Sequence, residues 1–204
     1  MKIEDFRKHQ INRSCDKKYQ DYHKYKPYLL RDFNNRCCYC NLSQDTITTY
    51  FQIDHFIPRR VFEGKRDELD CQYDNLILAC PKCNLEKRDQ YKGDIADFKI
   101  INELFYNPDE IDFNDIFYRN ELGGIDSDDL KGREIIKLVK LYRPLHNLSW
   151  LVEKLESVCH KIDLKISLTD DEKRKDELKI ILGKLSYIHL IKEKQLRAAY
   201  LQNK

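Results

Sequence analysis

Two Cys-x-x-Cys turns, Cys37–Cys40 and Cys80–Cys83, bracket the tripeptide Ile53-Asp54-His55. Asp74-Asn75-Leu76 precedes the second turn, and Asn84-Leu85-Glu86-Lys87 follows it directly. Four thiolates close one tetrahedral site for zinc and leave no open position, so that ion would be structural. A carboxylate and amide oxygens are hard donors suited to Mg²⁺ or Mn²⁺. A neutral imidazole accepts a proton near pH 7. These are the parts of a site that holds a divalent ion and activates a water. Singly, each has a plainer reading. Asn84 stands where a helix cap belongs, Asn75 is an ordinary turn residue, and Lys87 and Arg88 fit a solvated helix face. The joint order and spacing favour the chemistry.

The elements around these residues follow from local pattern. Residues 15–35 read as helical, with Tyr19, Tyr25, Leu29, Leu30 and Phe33 near helical spacing and a second helix starting at Pro27. Thr46–Ile53 is β-branched and aromatic, a strand that delivers Asp54-His55 at its end. Residues 56–74 read as a long polar loop, and Leu76–Ala79 as a second strand. A short helix is expected from Asn84 to about Tyr91. Residues 94–127 read as irregular, with a turn at Gly123-Gly124. Helices are expected over 128–143, over 147–163, and from a Thr169/Glu172 capping box to about Leu201. The reading is an α+β chain in four parts: an N-terminal helical segment (1–35), a core with the knuckles (36–93), an acidic irregular connector (94–127) and a C-terminal helical region (128–204).

The chain has 204 residues, 35% charged and 41% hydrophobic, enough for a real core. No apolar run approaches the ~20 residues of a membrane span, and the charged start lacks a secretory signal, so the expected location is the cytoplasm. Eight cysteines there stay reduced, which argues for metal ligation over disulfides; Cys15, Cys38, Cys71 and Cys159 are left as bystanders. Net charge is +2, distributed as a basic start and end around an acidic stretch at 94–130. That suits either a polyanion held by the ends or simply solvated helix faces.

The segments Ile53-Asp54-His55-Phe56-Ile57-Pro58, Tyr73-Asp74-Asn75-Leu76-Ile77-Leu78 and Cys80-Pro81-Lys82-Cys83-Asn84-Leu85-Glu86-Lys87 resemble the HNH endonuclease family, over roughly residues 31–92. The resemblance implies a ββα-metal core with a four-cysteine zinc site. It implies His55 as general base, Asp54 and Asn84 as ligands of the catalytic divalent ion, and Asn75 as the residue that orients His55. Asn84 stands where the family name has a second His. Lys87 would contact a phosphate, and Arg59, Arg60 and Arg88 are further candidate nucleic-acid contacts beside Lys65 and Arg66 of the long loop. The implied activity is metal-dependent hydrolysis of phosphodiester bonds, with DNA favoured. The rival reading is an inactive zinc-stabilised nucleic-acid-binding module, which would have no need of Asp54, His55 and Asn84 together. With no P-loop and no sequence-reading module in the chain, targeting would fall to a partner such as an ATPase, an arrangement that resembles Septu-type anti-phage defence.

Overall fold

The computed structural model describes residues 1–47 and 49–202, in two compact units that meet in sequence at Arg143 and Pro144. Thr48, inside the expected first strand, and residues 203–204 lie outside the described residues.

The first unit carries two small sheets. In one, β1 (Lys2–Asp5), β4 (Tyr118–Asn120) and β5 (Ile125–Asp126) pair antiparallel in the order β1-β4-β5. In the other, β2 (Gln52–His55) pairs antiparallel with β3 (Leu76–Ala79), matching Asp54 with Ile77 and His55 with Leu76. All four β3 residues are buried, as an unbroken Leu-Ile-Leu-Ala run requires. From β3 the chain enters the knuckle and then α4 (Pro81–Lys87). Strand, strand and helix therefore follow the expected ββα order, and the fold is α+β.

Several expected elements differ. Only the second half of 15–35 is helical, as a 3₁₀ turn at Tyr22–Tyr25 and α1 (Lys26–Asp32), with Pro27 in its first turn. The residues before it form no regular element and are tied down by side chains, since the Tyr19 amide donates to the Tyr25 hydroxyl. The strand expected from Thr46 begins at Gln52, because Gln44–Ile47 forms a helical turn, α2. The long loop after His55 holds α3 (Arg59–Phe62) and 3₁₀ turns at Asp67–Asp70 and Tyr73–Asn75. The acidic stretch is not wholly irregular: it supplies β4 and β5, linked by a turn in which Gly123 takes a positive φ of 74°. Strands this short carry no readable alternation. They are held from beneath, where Phe6, Phe113 and Phe117 meet with centroids 5.4–6.4 Å apart and the Arg7 guanidinium lies 4.4 Å from the Phe113 centroid.

The helix expected over 128–143 is α5 (Leu130–Leu138), capped by Asp129, which accepts from Gly132 N. The second unit is a hairpin of α6 (Pro144–Ser167) and α7 (Glu172–Gln202) packed along each other. The capping box at Thr169 does not form. Thr169 donates backwards to Lys165 O, and Asp171 accepts from Lys173 N and Arg174 N. Among the described residues, no helix is long and apolar enough to cross a membrane.

Candidate active site

The four knuckle cysteines come together as expected. Cys37, Cys40, Cys80 and Cys83 are buried, and their sulfurs all lie within 4.8 Å of one another, a donor set that can hold one metal ion. All eight cysteines are free of disulfides. The first knuckle turns through Asn41, whose φ is 59°. Cys38 is more than a bystander, because its amide donates to Leu78 O at 2.8 Å and ties the knuckle to β3. Burial raises its own thiol to about 12, which keeps it protonated beside the cluster. In the second knuckle, Cys80 is the N-cap of α4, its sulfur accepting from Cys83 N, with Pro81 at the start of the helix.

Asn84 is therefore not a cap. It lies one turn inside α4, its amide donating to Cys80 O. Its side-chain Nδ2 donates to Gln52 Oε1 at 2.8 Å. With the nitrogen committed, Asn84 Oδ1 is the atom left to accept or to ligate.

Asp54 and His55 turn to different neighbours, as alternation along β2 requires. Asp54 is buried, with Oδ1 accepting from Lys87 Nζ at 2.9 Å and Oδ2 from the Tyr39 hydroxyl at 2.8 Å. Lys87 does not face solvent. It is 0% exposed, and its ammonium also donates to the His55 carbonyl. The expected phosphate contact is instead the buried counter-ion of the Asp54 carboxylate. Burial, and then the Asp54 charge, push the Tyr39 hydroxyl well above its ordinary pKa, so Tyr39 stays a donor.

The His55 ring packs against Tyr22, 4.9 Å away and edge-on, and against Phe62. Its Nε2 lies 3.1 Å from the Asp70 carbonyl oxygen and 3.2 Å from Asp70 Oδ1. Both are acceptors, so the neutral ring carries its hydrogen on Nε2 and keeps its lone pair on Nδ1. Burial lowers the His55 pKa from the ordinary imidazole value, against the Asp70 carbonyl and carboxylate, which raise it. Asn75 is fully buried. Its Oδ1 accepts from Ile57 N, its Nδ2 donates to Leu69 O and Ile57 O, and its own carbonyl accepts from Phe56 N. It thus clamps the segment after His55 to the turn that presents Asp70, a positioning role.

Asp54, His55 and Asn84 line one open groove together with Tyr22, Gln52, Arg59 and Arg88. Arg59 is half exposed and pairs with Asp70 at 2.8 Å. Arg60 is 81% exposed, does not line the groove and pairs with Asp89. Lys65 does not line it either, and Arg66 pairs with Glu68. A carboxylate and an amide oxygen facing one groove fit a hard divalent cation. Sequence reasoning missed Tyr39, Gln52 and Asp70. Gln52 was legible, two residues before Asp54 and so on its face of the strand; Asp70 carries no local signal.

Residues 37–90 match the family model for the HNH endonuclease. They form an HNH domain. A stretch of 66 residues is 33% identical to the Septu protein PtuB of Bacillus thuringiensis, covering 30% of this chain and 24% of that protein. The similarity thus spans about a quarter of that relative's length. No solved structure matches.

Proposed function

We propose that the HNH domain is a metal-dependent endonuclease that hydrolyses phosphodiester bonds, with DNA as the favoured substrate. One observation carries this reading: His55, with its free Nδ1 lone pair, lines the same groove as the oxygen donors of Asp54 and Asn84. In this reading His55 takes a proton at Nδ1 from the attacking water, while Nε2–H stays on Asp70. Asp54 and Asn84 Oδ1 would hold a Mg²⁺ or Mn²⁺ ion, which when bound neutralises charge on the phosphate and the departing oxygen. Lys87 and Tyr39 fix the Asp54 carboxylate, Asn75 fixes the loop behind His55, and Arg59 and Arg88 supply positive charge to the phosphates along the groove. Zinc in the four-cysteine site would be structural.

The similarity to a Septu protein supports work in phage defence beside a partner subunit, such as an ATPase, that supplies targeting. A second reading, an inactive nucleic-acid-binding module, is favoured by one feature: both Asp54 oxygens already have protein donors. Incubation with supercoiled plasmid under Mg²⁺, Mn²⁺ or EDTA, alone and with a candidate partner, separates the two. Cleavage with Mg²⁺ or Mn²⁺ that EDTA stops supports the nuclease. Binding without cleavage under every condition supports the module.

A further inference from the structure

One feature of the groove has no part in hydrolysis. Tyr22, on its rim, has the His23 ring stacked on it, centroids 4.1 Å apart and planes 27° apart. The His23 side chain is 71% exposed, yet its ring is held on two sides, by Tyr22 and by Asp21 Oδ1, 2.8 Å from its Nδ1. Asp21 also accepts from His23 N, which pins the backbone at the start of the 3₁₀ turn. Fixing an exposed ring costs side-chain freedom and returns almost no burial. The Tyr22 ring meanwhile stands edge-on to His55 at 4.9 Å, with the Arg59 guanidinium 5.7 Å from its centroid. An ordered aromatic step thus stands beside the groove, and the His23 ring on it is largely exposed.

We infer that the Tyr22–His23 stack is a nucleobase platform, which makes unpaired nucleotides the substrate class of this groove. The inference rests on the proposal that the groove takes a nucleic-acid backbone. Every base has a π-face, so a planar step beside a phosphate track captures bases without regard to sequence. In a duplex those faces are covered by neighbouring bases, whereas in a single strand, loop or frayed end they are free to continue the stack. Arg59 serves both parts, lying over Tyr22 and lining the groove beside His55.

The test is a binding measurement that does not depend on cleavage. The zinc-loaded protein, without added Mg²⁺ or Mn²⁺, is titrated by fluorescence anisotropy against labelled strands of equal length: deoxythymidine, uridine, an abasic deoxyribose-phosphate strand, and a duplex. The expected order places both base-bearing single strands ahead of the abasic strand and the duplex, with the two sugars telling DNA from RNA. His23→Ala and Tyr22→Leu should each weaken single-strand binding about 5- to 100-fold, the range of one lost base–aromatic stack. They should leave abasic-strand binding unchanged. His23→Phe and Tyr22→Phe keep the rings and should restore affinity to within about twofold. Because His23 is exposed, His23→Ala keeps the test decisive if Tyr22→Leu fails to fold. Equal affinity for abasic and base-bearing strands, tighter duplex binding, no binding to any strand, or an unchanged His23→Ala would each overturn the platform. A protein that shows the stack but never cleaves keeps the platform and loses only the nuclease reading. One that cleaves with no effect at Tyr22 or His23 does the reverse.

Discussion

Replacing Lys87 with Met removes one charge from the pair at the centre of the site while keeping most of the buried stem. Lys87 has no solvent-exposed surface, and its ammonium serves Asp54 Oδ1 at 2.9 Å and the His55 carbonyl. Breaking a buried pair from one side typically costs ~3–5 kcal/mol, because the remaining charge is left without a partner. Asp54 keeps the Tyr39 hydroxyl and borders an open groove, and the thioether fills the space of the stem. Those terms favour the lower end, about 3 kcal/mol. In a unit of this size each kcal/mol moves the melting temperature by about 2–4 °C, so Lys87→Met should melt roughly 6–12 °C below the parent, with zinc content matched. Removing both charges leaves no charge unpaired, although the Tyr39 hydroxyl loses its acceptor, so the double variant Asp54→Leu/Lys87→Met should regain part of the loss. Arg60→Ala, which breaks only an exposed pair, should stay within about 0.5 kcal/mol. A Lys87→Met melt within about 2 °C of the parent, or strictly additive losses in the double variant, would refute the buried-counter-ion assignment.

His55→Ala should lower cleavage by ~10²–10⁴-fold, the usual share of a general base, while nucleic-acid binding by anisotropy is retained; near-parental cleavage would remove His55 from the chemistry. Cys40→Ser and Cys83→Ser should lose the single bound zinc, read by metal analysis after dialysis against a weak chelator, and should lose solubility or folding with it. Asn84→Ser should keep the fold, since Asn84 caps nothing, and lose most activity, whereas Asn84→His should keep some activity and shift preference towards Co²⁺ and Ni²⁺ in a cleavage panel. Burial, Arg7 and Arg36 lower His9 to about 4. The unfolded chain therefore binds the proton more readily, and this contribution to stability is present above pH ~6.5 and declines as pH falls towards 4. His9→Gln should flatten denaturation midpoints across that window, and an unchanged slope would count against it.

What could be read in advance divides by the range of the forces involved. The Leu76–Ala79 strand is legible because a run buried on both faces needs no partner to announce itself. The cysteine site is legible because its spacing is its chemistry. Asp54-His55 at the end of a strand is legible for the same local reason, although the strand starts later than its β-branched composition suggests. The three-stranded sheet is not legible. Its strands have four, three and two residues, and β1 finds β4 more than a hundred positions away. The inward course of Lys87 also has a local signal. Cys80, Cys83 and Lys87 recur at helical spacing, so a helix that turns two buried cysteines inward turns Lys87 inward as well. A lysine on that face needs an acid within reach, and Asp54 at the end of β2 is that acid. Asp70 offers no such clue. It reaches His55 through a loop whose course is set by Asn75, and no periodicity carries that information.

These contacts also explain how so short a core can hold its donors. Asp54 is registered against Ile77 by the β2–β3 ladder, three residues before Cys80. Cys80 caps α4, and its carbonyl accepts from the amide of Asn84 one turn later. The separation of the Asp54 carboxylate from Asn84 Oδ1 is therefore fixed by a strand pair, a knuckle and a single helical turn, with Gln52–Asn84 and Lys87–Asp54 closing the triangle from both sides. A helix of seven residues is too short to hold itself in water. Its start is anchored at the cysteine cluster, and Cys38 N joins the other half of that cluster to Leu78 O in β3. The four-cysteine site thus anchors β3 and the start of α4, the elements that register Asp54 and carry Asn84. Loss of its ion should release Asn84 and Lys87 together, so that activity and the Lys87–Asp54 pair fail at the same chelator concentration. They would fail separately if α4 were held chiefly by apolar packing.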